Sequence, residues 1–393
     1  MSRLTPARAV ILAAMLAPLL PMVEWVTRLW PVRAAARGIP VYAPKDAVIR
    51  WPEHGGWFAL LALVALLVTR PVVLLPDPWL AAAVAVVAVT VFVHGAMVDL
   101  GMAVLFTLSA LALTVVRSAP AETRAWAARA MGAAGVLQAA VIIQQWFGSD
   151  FPVGLWHGEN LKRIGTLGNP GLAAGFVAVA TLAGPWWGLP IGAVAILLTG
   201  TAGPLLAFAA GCIIRYRLWR HMWVLVAVGV VAAVVIEREH RGAAWSAASG
   251  LRMDVWTLAL RDWARGEPIL GFGLGAWARR IPQLQDATKL GMDGGPQSGY
   301  WFQAHNEFVQ WGYELGLVGL VVLAGWLWTH RAMVWHPTCG GAVAALAALC
   351  CTWFPFHGVA LGLLAVVVLA CATAPPRVEV GYDARDVTSE GLT

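Results

Sequence analysis

Long apolar runs, separated by short polar connections, recur along nearly the whole chain. A helix needs about 17–25 apolar residues to cross the hydrocarbon core of a bilayer, and the longer runs reach that length. The pattern predicts about twelve transmembrane helices, at residues 9–30, 56–69, 72–94, 98–116, 126–147, 169–184, 186–200, 202–214, 222–236, 303–329, 338–354 and 356–373. We therefore expect an all-α integral membrane protein.

Composition supports this prediction and excludes other classes. The chain is 60% hydrophobic and 12% charged, whereas about a quarter of the residues in a soluble domain are charged. The net charge of +6 resembles that of a nucleic-acid-binding protein, but the arginines lie in loops between spans, so we expect no nucleic-acid partner. The five cysteines all fall in apolar segments and predict neither a disulfide framework nor a metal site.

The short connections predict the orientation in the membrane, because cytoplasmic loops carry an excess of Lys and Arg. Twelve spans place both termini on one side, which then also receives the basic residues Arg3, Arg8, Arg70, Arg117, Arg124, Arg215, Arg217, Arg220 and Arg331. That side is predicted to be cytoplasmic. We expect residues 1–374 to form one membrane domain and residues 375–393 a cytoplasmic tail.

The opposite, periplasmic side receives three longer polar segments, 31–55, 148–168 and 237–302. Long loops of this kind tend to carry function. In the loop 237–302, apolar residues recur at helical spacing and predict an amphipathic helix at the membrane surface: Leu251, Met253, Trp256, Leu260 and Trp263. The run from Pro268 to Gly275 that follows predicts a tight turn at the interface.

His305 lies where this long loop enters a predicted span. A histidine there is partly hydrated and can act as a base near neutral pH, and Asn306 can orient it or a substrate hydroxyl. The residues alone leave open that His305 only caps the helix. The glycines that follow, Gly312, Gly316 and Gly319, predict a flat helix face for close packing.

Glu314 lies about two turns deeper in the same predicted span. A carboxylate inside a membrane helix is costly and is usually paired or functional. We expect it either to pair with an arginine of a neighbouring element or to contact substrate directly.

A second motif, Asn169 followed by Pro170, predicts a helix start, with an N-cap side chain and proline at the first helical position. Arg163 precedes it in the same loop, and a helix N-terminus beside an arginine forms an anion site. The alternative is an ordinary cap with an arginine at the lipid headgroups.

Arg252, on the predicted surface helix, is a third candidate because a guanidinium group binds phosphate in a forked geometry. Arg163 and Arg252 share a face with His305, and two arginines with a base predict a lipid-linked phosphate donor and a nucleophile that must lose a proton. The other arginines are expected to be solvated or at lipid headgroups: Arg241, Arg261, Arg265, Arg279 and Arg280.

The polar loops contain no Asp-x-Asp-type pair to hold a divalent metal against a diphosphate, and the chain has neither a Walker loop nor His-Glu-x-x-His. We therefore expect no metal and no cofactor. Arginines would stabilise the charge of a leaving diphosphate.

The His305 segment resembles the O-antigen ligase family. It fits the pattern His-Asn/Ser/Gln-x9-Gly-x-x-Gly, with His305, Asn306, nine residues, Gly316, two residues and Gly319. The stretch 314–319 is similar to the region that O-antigen ligases and polymerases share. Arg252 with Trp256, the turn 268–275, and Arg163 with the stretch 165–170 resemble other parts of the same superfamily. The sequence departs from many relatives at Gly171, where they have a second asparagine.

This resemblance implies a metal-independent, inverting membrane glycosyltransferase of the bacterial inner membrane, with its active site facing the periplasm. Its donor would be a glycan linked to undecaprenyl diphosphate, and its acceptor the lipid A–core oligosaccharide or another glycan. His305 would be the base that activates the acceptor hydroxyl, Arg163 and Arg252 would bind the diphosphate, and Asn306 and Glu314 would take part in substrate binding.

Other functions remain open at this stage. An O-antigen or polysaccharide polymerase joins repeat units with the same parts, and a protein O-oligosaccharyltransferase is a third possibility, although such relatives are usually longer. A transporter would have ionisable residues spread through many spans, whereas here they concentrate on one face. A structural membrane scaffold predicts that replacing His305 has no effect.

Overall fold

The computed structural model describes residues 5–16, 77–95, 99–147, 167, 169–218, 243–290, 301–353, 355–357 and 359–373. All regular secondary structure in these residues is helical, which confirms the predicted all-α fold. Ten of the helices there are mainly apolar: α1 (Pro6–Leu16), α2 (Pro78–His94), α3 (Leu100–Arg117), α4 (Ala121–Trp146), α5 (Pro170–Ala183), α6 (Gly188–Thr199), α7 (Ala202–Arg215), α10 (Glu307–Thr329), α11 (Gly340–Thr352) and α12 (Val359–Ala372). The long loop contributes α8 (Ala243–Arg265) and α9 (Ala276–Thr288), and two short 3-10 helices are Arg331–Trp335 and Pro355–His357.

Each mainly apolar helix falls on a segment that the hydrophobic pattern assigned to a span. Within the described ranges, α4 and α10 are long and apolar enough to cross a membrane by length and composition, and the other apolar helices are shorter. The predicted spans 56–69 and 222–236, the segment 31–55 and the tail 375–393 lie outside the described residues. The count of twelve spans therefore stays a prediction.

Large apolar side chains cover much of the outer surface of the helix bundle. Phe92 and Phe147 are 90% and 82% exposed, and Trp186 and Trp328 are 72% and 70% exposed close to helix ends. Exposed apolar surface on this scale marks contact with lipid, and tryptophan favours the membrane–water interface. The exterior is thus that of an all-helical membrane protein.

The basic short connections lie together at one end of the bundle. Arg117 Nη1 is 2.6 Å and His330 Nε2 is 3.0 Å from Asp77 Oδ2, so the start of α2 meets the ends of α3 and α10. Further arginines lie on the same side. Arg124, in the first turn of α4, donates to Arg117 O; Arg215, at the end of α7, donates to Gly184 O at the end of α5; and Arg331 follows the end of α10. We call this the basic end. Since α10 runs away from His305 towards it, His305, α8 and α9 lie at the opposite end, here called the loop end.

The centre of the bundle is α5, in which every residue from Ala173 to Ala183 is buried. It is enclosed by α4, α6, α7, α11 and α12. Small residues allow the close approach of these helices; a Cβ atom on Gly211 of α7 would lie 2.6 Å from the carbonyl oxygen of Gly341 on α11. The N-terminus of α5 lies at the loop end.

Helices α8 and α9 form a layer on α10 with an apolar core of its own. The buried residues of this core are Val255, Ala259, Phe272, Ala276, Trp277, Ile281, Ala304 and Tyr313. On α8, Met253 and Leu260 are exposed while Val255 and Ala259 are fully buried. The prediction of a helix at residues 251–263 is confirmed, and its buried face packs on protein.

Arg280 was expected to be solvated or at lipid headgroups, but it is paired within the protein, with its side chain 38% exposed. Its Nη2 atom is 3.1 Å from Asp262 Oδ2, and its guanidinium lies 3.9 Å from the centre of the Phe272 ring. The Tyr313 hydroxyl donates to the same carboxylate at 2.6 Å. Asp262, Arg280 and Tyr313 thus join α8, α9 and α10. Sequence spacing gave no sign of this because the three residues come from three separate helices.

The predicted flat glycine face of α10 is wrong, because the helix is broken there. Gly316 has φ 68° and ψ −168°, which no helix accommodates. The turn around Pro268 to Gly275 packs into the break, and a Cβ atom on Gly316 would overlap the Ile269 carbonyl oxygen. The glycine at this position therefore makes room for a loop rather than for another helix.

Four backbone hydrogen bonds join the turn to both sides of the break. They run from Phe272 N to Tyr313 O (3.0 Å), from Gly273 N to Glu314 O (2.8 Å), from Leu317 N to Pro268 O (3.0 Å) and from Val318 N to Ile269 O (3.1 Å). A break inside a membrane helix leaves backbone groups without helical partners, which is tolerated only where other protein atoms satisfy them. The turn supplies those atoms.

We predict that Gly316→Ala destabilises the protein more than Gly200→Ala. Both glycines have similar positive φ, 68° and 67°, but a Cβ atom on Gly200 would meet open space. Gly200, with ψ 19°, is in the left-handed helical region, where alanine costs about 1–2 kcal/mol. Gly316, with ψ −168°, is in a region that essentially only glycine adopts, and the overlap there adds about 1–3 kcal/mol. Thermal unfolding of the purified protein in detergent measures the difference, and equal unfolding temperatures for the two variants would contradict the packed break.

Candidate active site

His305 occupies a backbone conformation that few residues other than glycine adopt. Its φ is 53°, in the left-handed region, two residues before α10 begins. Non-glycine residues at positive φ cost free energy and are held in place by their surroundings, often at functional sites. Neighbouring groups must therefore hold the segment around His305 in place.

The residues before His305 are held by side chains from three helices. Trp256 Nε1 donates to Ala304 O at 2.6 Å, and Ala304 N donates to Gln310 Oε1 at 3.0 Å. Three residues earlier, Trp277 Nε1 donates to Trp301 O at 3.0 Å. Since α8, α9 and α10 all contribute, the position of His305 depends on the whole loop layer.

Asn306 caps α10 and ties it to α11. Its side-chain oxygen accepts from Val309 N at 3.1 Å, and its Nδ2 donates to Cys351 O at 3.1 Å. The next residue, Glu307, is buried and accepts from Phe356 N at 2.7 Å. The structure thus gives Asn306 a role in fixing the start of α10, directly beside His305.

The imidazole of His305 lies between two indole rings. The ring centres of Trp301 and Trp353 are 5.1 Å and 4.7 Å from it, both edge-on. Trp353 in turn packs on Gly171, where a Cβ atom would overlap the indole. The glycine that departs from the usual asparagine therefore accommodates this tryptophan.

Trp353 connects the Asn169–Pro170 motif to the His305 segment. Asn169 caps α5 as predicted, with its side-chain oxygen accepting from Gly171 N at 2.8 Å and Leu172 N at 3.1 Å. The N-terminus of α5 carries partial positive charge. The indole of Trp353 lies between this N-terminus and His305. Arg163, the arginine of this motif, lies outside the described residues.

Arg252 lies on α8, one turn before Trp256, and is half-buried. Burial, and after it the positive charge of Arg252, lower the pKa of His305 to about 4. Burial also lowers the pKa of Arg252, which still leaves a guanidinium charged at neutral pH. The structure therefore brings together a neutral imidazole and a cation, two of the predicted site residues.

Glu314 is completely buried, in the turn of α10 that precedes the break. Its Oε1 atom accepts from Trp277 N and from Gln310 Nε2, both at 3.3 Å. These two donors are neutral groups of the loop layer. Glu314 is thus connected through Gln310 to Ala304, the residue before His305.

Sequence reasoning missed Trp353, Gln310 and Trp277. Gln310 lies four residues before Glu314, a spacing at which two side chains meet on a helix. The contact between them could therefore have been predicted from the predicted helix. Trp353 ends α11, about fifty residues from His305 along the chain, and nothing local in the sequence links the two.

The described residues contain no group of three or more His, Cys, Asp or Glu side chains placed to hold a metal ion.

A family model described as O-antigen ligase matches residues 187–324. The matched segment contains Arg252, the turn that fills the break, His305 and the Gly316–Gly319 pattern. This part of the chain is thus similar to the O-antigen ligase/polymerase superfamily, whose members are membrane glycosyltransferase-like enzymes, and the match confirms the resemblance drawn from the motifs. No curated protein matches the chain significantly.

We predict that His305 stays unprotonated well below neutral pH. Diethyl pyrocarbonate acylates only the neutral imidazole, so the modification rate of His305, followed by peptide mass spectrometry, should show a midpoint near pH 4. A free histidine peptide, with a pKa of about 6.5, is the reference. In Arg252→Gln the midpoint should move to higher pH, because a nearby positive charge is gone. A wild-type midpoint at the reference value would contradict the buried, cation-flanked site.

Proposed function

We propose that the protein is an O-antigen ligase-type glycosyltransferase. It moves a glycan from undecaprenyl diphosphate to a lipid A–core acceptor at the periplasmic face of the inner membrane. The observation that carries the proposal is the convergence, at the loop end, of a neutral histidine at positive φ, an arginine beside it, and the capped N-terminus of α5 one tryptophan away. The family match supports the reaction class.

His305 acts as the general base. Its imidazole takes the proton of the acceptor hydroxyl while the hydroxyl oxygen forms a bond to the anomeric carbon of the donor sugar. The bond between that carbon and the phosphate oxygen breaks, and its electron pair leaves with undecaprenyl diphosphate. Attack from the face opposite the leaving group inverts the anomeric configuration. Positioning of the two substrates contributes much of the rate.

Arginines stabilise the diphosphate, and no metal takes part. Arg252 supplies a forked donor beside His305, and Arg163 is proposed from its motif as a second. Guanidinium–phosphate hydrogen bonds are charge-assisted and about twice as strong as neutral ones. Because Arg252 lowers the pKa of His305, a diphosphate that offsets its charge raises that pKa. Donor binding therefore makes the base stronger.

The apolar exterior of the bundle suits a donor that carries a long isoprenoid chain. The lipid remains in the bilayer while its diphosphate reaches the loop end. Arginines collect at the basic end, and cytoplasmic connections carry an excess of positive charge. The basic end is therefore proposed to be cytoplasmic and the loop end periplasmic.

We predict that His305→Ala lowers glycan transfer by about 10²–10⁴-fold, the usual contribution of a general base. His305→Asn is the matched variant, because asparagine tolerates positive φ and so keeps the backbone. Both variants should be inactive, with normal insertion in the membrane. The readout is the lipopolysaccharide ladder of a host that lacks its own ligase, complemented with each variant.

The same gel tests the proposal against its nearest rival. Loss of a ligase leaves core without O-chain and accumulates carrier-linked polymer, whereas loss of a polymerase leaves core with a single repeat unit. His94→Ala, at the loop end of α2, serves as the control and should give a normal ladder. A normal ladder from His305→Asn would refute the catalytic role.

We predict that Arg252→Gln raises the KM for the lipid-linked donor by about 10–100-fold, the equivalent of one lost charged hydrogen bond. Arg252→Lys keeps the charge but not the fork, so its loss should be smaller. Arg163→Ala should act on the same parameter. Initial rates with purified enzyme and varied donor provide the measurement, and unchanged donor KM in all three variants would contradict the assignment.

A further inference from the structure

A buried polar chain runs from the inside of α10 to the peptide that precedes His305. Glu314 is 0% and Gln310 2% exposed. Glu314 Oε1 accepts from Gln310 Nε2 at 3.3 Å, and Gln310 Oε1 accepts from Ala304 N at 3.0 Å. Each link is one hydrogen bond, and the chain ends on the backbone of the residue before His305.

The other links of this chain are equally specific. Glu314 Oε1 also accepts from Trp277 N at 3.3 Å, where α9 begins. Ala304 O accepts from Trp256 Nε1 at 2.6 Å. Both backbone groups of Ala304 are therefore held by side chains, one through Glu314 and Gln310 and the other through α8.

These hydrogen bonds explain how His305 is held at positive φ. Without a hold on Ala304, the segment would relax towards an extended conformation, which costs less than φ 53°. The imidazole would then leave its place between Trp301 and Trp353 and beside Arg252. Substrate cannot reach Glu314, because the carboxyl is fully buried.

We propose that Glu314 and Gln310 are positioning residues, which hold the Ala304 peptide so that His305 keeps its left-handed conformation. The inference rests on the proposed role of His305 as the base. It assigns to Glu314 the work of a hydrogen-bond acceptor, not that of a charge that contacts substrate.

Glu314→Gln separates these two roles. The amide is the same size, and its carbonyl oxygen accepts from Trp277 N and Gln310 Nε2 as the carboxylate does. We expect Glu314→Gln to keep most of the activity. Glu314→Leu has no acceptor, and its kcat should fall by about 10²-fold, which is the cost of misplacing a reactive group by about 1 Å. The donor KM should change little in either variant.

Exchanging the two side chains provides a rescue test. Gln310→Glu alone puts a second carboxylate opposite Glu314 and should lower kcat. The double variant Glu314→Gln/Gln310→Glu restores the link between the two side chains, since the new amide donates to the new carboxylate, which still accepts from Ala304 N. The contact with Trp277 N is lost, because the single atom Glu314 Oε1 accepts from both Trp277 N and Gln310 Nε2. We expect the kcat of the double variant to exceed that of Gln310→Glu, whereas two independent losses would multiply.

The chemical modification of His305 provides a measurement that does not depend on enzyme activity. If the Ala304 peptide is released, His305 moves away from Arg252, so the diethyl pyrocarbonate midpoint of His305 should rise in Gln310→Met and stay in place in Glu314→Gln. Thermal unfolding identifies variants that fail to fold, and those variants are replaced in the comparison by the exchanged pair.

The outcomes distinguish this inference from the proposed function. An active His305→Asn variant would overturn the function itself. An inactive His305→Asn variant together with a fully active, folded Glu314→Leu would overturn only the positioning role. Equal losses of kcat in Glu314→Gln and Glu314→Leu would show that the charge matters, and would also overturn it.

Discussion

The backbone pairing between the turn 268–273 and the break in α10 is the constraint on which the site depends. A membrane helix normally satisfies its own backbone, and four hydrogen bonds from a loop are needed to replace what the break removes. The turn cannot move without exposing backbone groups to an apolar environment. Since the same turn leads directly into α9, it fixes that helix, and with it Trp277, against α10.

The break also explains why a carboxylate is tolerated inside a membrane helix. Glu314 lies at the end of the first half of α10, where the backbone no longer continues as a helix, and Trp277 N in the first turn of α9 donates to it. A helix N-terminus stabilises negative charge. The N-terminus of α9 thus offsets the cost of burying the carboxylate. The carboxylate in turn accepts a hydrogen bond from Gln310, which binds the peptide before His305.

Much of the fold was predictable from the sequence, because spans and caps are local. The described apolar helices lie on the predicted runs, and Asn169–Pro170 starts α5 as its residue types require. The pairing of Arg280 with Asp262, the break at Gly316 and the packing of Trp353 on Gly171 were not predictable. Each depends on which separate segments meet, and a glycine pattern looks the same whether it admits a helix or a loop.

The electrostatics of the site follow from the same geometry. A histidine with a pKa of about 4 is a weak base, which would be a poor catalyst if that value held throughout the reaction. Burial lowers this pKa most, and the positive charge of Arg252 lowers it further. On the proposed mechanism the diphosphate offsets the charge of Arg252, so proton uptake by His305 becomes more favourable when a donor is bound, and the empty enzyme keeps its base neutral. Coupling of this kind needs Arg252 and the imidazole to stay at a fixed separation, which is what the rigid loop layer, fastened through the break in α10, provides.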